Sequence, residues 1–117
     1  MTKTILIAED DERLRHSLAS ILEEAGYSVV EASNGKEVLL DLSSADLCLL
    51  LTDIVMPEME GLELIKHLRQ YHPKLPIVAM SGAFEGRFLD AARMLGAKET
   101  LQKPFEREAL LAALESA

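Results

Sequence analysis

Glu9, Asp10, Asp53, Ser81 and Lys103 are the side chains of this sequence whose types and placement could do chemistry together. Each stands at or just past the end of an apolar or strand-like run. Taken singly, each has a plain reading: Glu9 and Asp10 as turn acids, Asp53 as a turn former or helix cap, Ser81 as a cap, Lys103 as a solvated lysine. Taken together they are complementary. Three carboxylates a few ångströms apart repel by about 4 kcal/mol per close pair at an effective dielectric of about 20. Such a cluster protonates one member or binds a cation. Hard oxygen ligands, with no His or Cys among them, select Mg²⁺ or a similar ion such as Mn²⁺ over zinc. A lysine and a hydroxyl beside that cation would complete a phosphoryl site, and a carboxylate can itself accept the group as an aspartyl phosphate.

That chemistry requires elements that deliver the five residues to one place. The run Leu47-Cys48-Leu49-Leu50-Leu51 continues through Thr52 to Asp53 and on to Ile54-Val55-Met56-Pro57. It reads as a strand buried on both faces, too quickly closed by Pro57 and Gly61 for a helix. Ile5-Leu6-Ile7-Ala8 is a second such run, ending in Glu9-Asp10-Asp11-Glu12, and Ile77-Val78-Ala79-Met80 is a third, ending in Ser81-Gly82. Tyr27–Ala32 and Lys98–Gln102 are weaker strands, as edges would be.

Between the strands lie helical patterns. Leu14, Leu18, Ile21, Leu22 and Ala25 form one stripe, with Asp11 as cap and Gly26 as stop. Asn34-Gly35 marks a turn before a short helix carrying Val38, Leu39 and Leu42. Met59–Tyr71 has the stripe Leu62, Ile65 and Leu68. Phe84–Leu95 is expected to turn Phe88, Ala91, Ala92 and Leu95 inward, leaving Leu89 and Met94 outward, with Gly96 as its stop. Glu106–Glu115 carries Leu110, Leu111 and Leu114, with Leu111 and Ala112 as candidates to face outward.

Strand and helix alternate five times, which calls for a doubly wound parallel α/β sheet. Placing the three most apolar strands in the middle gives the flavodoxin-like order 2-1-3-4-5, with its switch point between the first and third strands. All C-terminal strand ends then share one edge, and the five residues meet there.

Composition narrows the classes. The chain has 117 residues and 49% hydrophobic residues, so a single domain over 1–117 is expected. Twelve basic against 20 acidic residues give a net charge of −8, a poor match for direct nucleic-acid binding. The one cysteine, Cys48, is expected to be buried and reduced, which suits a cytoplasmic setting. The N-terminus has no signal-peptide pattern, and no apolar run approaches the roughly 18 residues of a membrane span. His16, His67 and His72 are expected on helix surfaces or ends.

The segments Ile5–Asp11, Leu49–Pro57 with Gly61, Ala79–Gly82, and Gly96-Ala97 followed by Lys103-Pro104-Phe105 resemble, in order and spacing, the receiver domain of two-component response regulators. The resemblance implies that Asp53 is the phosphoacceptor. It implies that Asp10 binds Mg²⁺ directly, that Glu9 binds it through water, and that the backbone carbonyl of Val55 is a further ligand. Ser81 would hydrogen-bond the phosphoryl group and Lys103 would pair with it, with Lys103-Pro104 in the cis form. The donor would be a histidine kinase or a histidine phosphotransfer protein. One position departs from the family. Three residues before Lys103 receivers usually carry Tyr or Phe, whose ring reports activation; here stands Thr100. A stand-alone receiver acting through a protein partner is expected, or else part of a larger regulator or hybrid kinase. Two rivals are weaker. A Mg²⁺-dependent phosphatase of the haloacid dehalogenase type needs a second Asp where this chain has Val55. A flavin-binding flavodoxin needs a phosphate loop where Glu9–Glu12 would repel the phosphate.

Overall fold

A computed structural model describes residues 3–42, 47–54, 61–82 and 86–117. Five strands, β1 (Thr4–Ala8), β2 (Ser28–Ala32), β3 (Leu47–Asp53), β4 (Ile77–Ser81) and β5 (Glu99–Gln102), form one parallel sheet in the order β2-β1-β3-β4-β5. The helices are α1 (Glu12–Glu24), α2 (Gly35–Asp41), α3 (Gly61–Tyr71), α4 (Gly86–Leu95) and α5 (Arg107–Ser116). The ranking of strands by apolar content holds. All of β4 and nearly all of β1 are buried, whereas β2 and β5 are partly exposed.

Side chains alternate across the sheet with the period of two that strands impose. Ile5, Ile7, Leu49, Leu51, Val78, Met80 and Leu101 face α1 and α5, where Leu18, Leu22, Leu110 and Leu114 meet them. Leu6, Ala8, Leu50, Ile77 and Ala79 face the other way, onto Val38, Leu64, Ile65, Leu68 and Ala92 of α2, α3 and α4. This alternation decides which strand-end residues can meet.

The caps follow from local chemistry. Asp11 caps α1, its carboxylate accepting from the Leu14 N–H at 3.2 Å. Ala25, expected on the apolar stripe, is exposed, because it sits at the C-cap just before Gly26 at φ +101°. Asn34-Gly35 is the cap of α2 rather than a free turn: Asn34 accepts from the Glu37 N–H, and Glu37 accepts in return from Ser33. After α4 the chain reverses at Gly96, at φ +124°. A Cβ there would lie 2.3 Å from the Arg69 Cδ.

Two expected faces are corrected. In α4, Leu89 is buried (8% exposed) and Phe88 is 39% exposed, the reverse of the sequence reading. Met94 is outward as expected, at 88%. Cys48 is half-buried rather than enclosed, because it lies near the start of β3 where the core thins. The expected helix starts at Met59 and Phe84 fall outside the described residues.

Candidate functional site

Alternation and register assemble the site. Glu9 is in step with Ile5 and Ile7, and Asp53 is in step with Leu49 and Leu51. Their strands are neighbours, with Ala8 level with Thr52, so the next residues, Glu9 and Asp53, emerge side by side on the α1–α5 face. Asp53 is level with Met80, and Met80 with Leu101. Lys103, two residues past Leu101, rises on the same face. Its side chain extends back toward β3, where the Asp53 carboxylate reaches out to meet it. The Lys103 N–H donates to the Ser81 carbonyl at 2.6 Å, which fixes the loop after β5 to the end of β4.

The resulting contacts are short. Lys103 Nζ donates to Asp53 Oδ2 and to Glu9 Oε1, both at 2.6 Å. Oxygens of Glu9, Asp10 and Asp53 lie within 4.8 Å of one another. Glu9 and Asp53 are buried, Asp10 is exposed, and Ser81 is buried at the rim of the same edge. Glu9 and Asp53 are held by further bonds: Glu9 Oε2 accepts from the Asp11 N–H at 3.1 Å, and the Asp53 carbonyl accepts from Thr52 Oγ1 at 2.8 Å.

Charge is unevenly matched here, with one ammonium for three carboxylates. Burial pushes the Glu9 carboxyl up from its ordinary 4.5 to about 7, and neighbouring Asp53 and Asp10 add to the rise. The bonds from Lys103 and the Asp11 N–H oppose it without prevailing. For Lys103, burial alone would favour the neutral amine, but its bonds to Asp53 and Glu9 more than offset that and raise its pKa. An oxygen-only donor set short of positive charge is suited to a hard divalent cation.

The sequence-predicted residues Glu9, Asp10, Asp53 and Lys103 are thus brought together, with Ser81 at the same sheet edge. Val55 lies outside the described residues. Lys103-Pro104 is cis, as the resemblance implied. Thr100 Oγ1 accepts from Arg93 Nη2 of α4 at 2.8 Å, so a polar tie occupies the position that departs from the usual aromatic. His16 and His72 are exposed, and His67 packs against Tyr71 with ring centroids 4.7 Å apart. Beside the site, Leu14, Ile21, Pro104, Phe105 and Leu110 line an apolar groove of about 510 Å³.

Sequence reasoning missed Arg15. Its guanidinium donates to the Glu9 carbonyl at 2.9 Å and to Glu31 Oε1 at 3.0 Å. The signal was present: Arg15, Leu18, Ala19 and Leu22 fall at i, i+3, i+4 and i+7, which places a charge on the buried stripe of α1.

Residues 5–115 match the response regulator receiver domain family. The chain belongs to that family. It is 36% identical over 113 residues to the DNA-binding transcriptional regulator NtrC of Salmonella typhimurium, covering 97% of this chain and 24% of that protein. It is 45% identical over 80 residues to the response regulator receiver protein CpdR of Brucella abortus, covering 68% of this chain and 67% of that protein. A CheY-like receiver domain structure from Methanospirillum hungatei superposes with a TM-score of 0.91 at 30% identity, covering 98% of this chain and 92% of that one. The chain is therefore a receiver domain of two-component signalling and spans only about a quarter of its NtrC relative. No helix among the described residues is long and apolar enough to cross a membrane.

Proposed function

We propose that this receiver accepts a phosphoryl group on Asp53 from a phosphohistidine donor, in a reaction that depends on a divalent cation. The observation that carries the reading is the bridge from Lys103 to both Asp53 and Glu9, with Asp10 close by. Asp10 and Asp53 would hold Mg²⁺ or Mn²⁺ directly, Glu9 would hold it through water, and the Val55 carbonyl would complete the protein ligands. When bound, the cation supplies positive charge to the phosphoryl oxygens.

The chain's own groups do the rest. An Asp53 carboxylate oxygen attacks phosphorus in line with the departing imidazole nitrogen. The O–P bond forms as the P–N bond breaks, and the imidazole leaves with the electron pair. Lys103 stays charged, because its pKa is raised, and can pass from Asp53 Oδ2 to a phosphoryl oxygen. The Ser81 hydroxyl donates to another phosphoryl oxygen. The burial of Asp53 limits competing water.

On this reading the domain catalyses only its own phosphotransfer and dephosphorylation, and it acts as a switch for a protein partner in the cytoplasm. The donor is a histidine kinase or a histidine phosphotransfer protein, docking over the apolar groove beside Lys103. Incubation with a small acyl phosphate and Mg²⁺, followed by intact mass, tests the reading. Wild type should gain one phosphoryl group only with the divalent ion, and Asp53→Asn should gain none. Equal labelling of Asp53→Asn would overturn it.

A further inference from the structure

Asp10 is the exposed member of the acidic trio, and its carboxylate stays with the others only if the peptides on either side of it are held. Both are. On the near side, the Glu9 N–H donates to the Ala32 carbonyl at 3.0 Å and the Glu9 carbonyl accepts from Arg15 Nη1 at 2.9 Å. On the far side, Asp11 is fixed as the cap of α1 and donates its N–H to Glu9 Oε2. The Arg15 side chain is only 13% exposed, and its Nε is occupied by Glu31 Oε1 on β2 at 3.0 Å. The guanidinium thus joins three elements at the carbonyl between Glu9 and Asp10.

We propose that Arg15 is a positioning residue for the divalent-cation site. Its fork fixes the Glu9–Asp10 peptide so that the Asp10 carboxylate is preset beside Asp53. Glu31 holds the fork in that pose, away from the acids it would otherwise neutralise. A guanidinium has the planar geometry to serve a carbonyl and a carboxylate at once, which an ammonium lacks. The inference rests on the cation-site reading given above.

Two accounts of Arg15 differ in the sign of one measurement. As a nearby positive charge it would oppose a cation, and its removal would tighten binding. As a positioning residue its removal weakens binding, as loss of an outer hydrogen bond to a ligand does. Mn²⁺ binding to the full chain, followed by loss of the free-ion electron paramagnetic resonance signal, separates them. Arg15→Met should raise the Mn²⁺ dissociation constant by roughly tenfold. Arg15→Lys, which keeps the charge but cannot serve both acceptors, should fall between Arg15→Met and wild type. Amide shifts of Asp10 and Asp11 in the metal-free protein should move in the same order. An Arg15→Met protein that melts earlier yet binds Mn²⁺ as tightly as wild type, or more tightly, would overturn the inference and leave Arg15 as a structural tie. Should Arg15→Met not fold, Arg15→Lys decides, and wild-type affinity there overturns it. Wild type that leaves the Mn²⁺ signal unchanged would sink the cation site itself, an outcome distinct from failure of the Arg15 assignment.

Discussion

Glu9 makes the site a measurable liability for the metal-free fold. Its carboxyl is 1% exposed, and its pKa is raised from 4.5 to about 7. The folded state therefore holds a proton that the unfolded state has released. Stability falls as pH rises through that window, being greatest below about 4.5 and lowest above about 7 so far as Glu9 contributes. The displacement corresponds to about 3 kcal/mol. Lys103 acts in the same direction, its folded-state pKa being raised as well, but it does so above 10.5, outside the window. The lowered pKa of Glu37 acts below 4.5. Glu9→Gln mimics the protonated side chain and does not titrate. In chelator, Glu9→Gln and wild type should melt alike near pH 5, and the variant should be the more stable at pH 8 by up to about 10 °C for a domain of this size. Thermal melts by circular dichroism at half-unit pH steps give the comparison. Adding Mg²⁺ at pH 8 should recover stability in wild type more than in the variant, because the ion binds the folded state. Parallel curves from pH 5 to 8 would refute the reasoning, since they would mean that Glu9 is not the desolvated member of the trio.

Other outcomes follow from single residues. Gly96→Ala, forced to φ +124° against the Arg69 side chain, should cost about 2 kcal/mol or more in urea melts. Val55→Asn should speed decay of the phosphorylated state, because Val55 offers no side-chain hydrogen bond to orient an attacking water; an unchanged decay rate would remove that residue from the reaction. A beryllofluoride mimic of the phosphoryl group should shift the amides of Ser81, Gly82 and Gly86–Phe88 more than those of β5. With Thr100 tied to Arg93, no aromatic ring stands there to carry the signal. Shifts centred on Thr100 with a still Ser81–Gly82 would contradict this route.

Much of this arrangement is legible in the chain because its signals are strong ones. Unbroken apolar runs identify the central strands, and the acids that end them can only lie at the strand tips. Parity then places Glu9 and Asp53 on one face. What escapes the sequence has physical causes. In α4 the small Ala91 and Ala92 leave the phase of a short helix open, so Phe88 and Leu89 exchange faces. In α3 both Leu64 and Ile65 are fully buried, a broader stripe than the three positions Leu62, Ile65 and Leu68 suggested. Lys103 reads alone as a solvated lysine, and only the register of three strands brings it over Asp53. Arg15 reads alone as a solvated helical arginine, and only its spacing with Leu18, Ala19 and Leu22 puts it on the buried stripe of α1.

The central claim is that Asp53 forms an acyl phosphate. Wild-type protein treated with an acyl phosphate and Mg²⁺, then reduced with borohydride and digested, can be sequenced by tandem mass spectrometry. A carboxyl phosphate is reduced to an alcohol, so the account predicts homoserine at position 53 and at no other acid. Reduction at Glu9 or Asp10 instead, or an intact Asp53 in protein that carries phosphate, would contradict it.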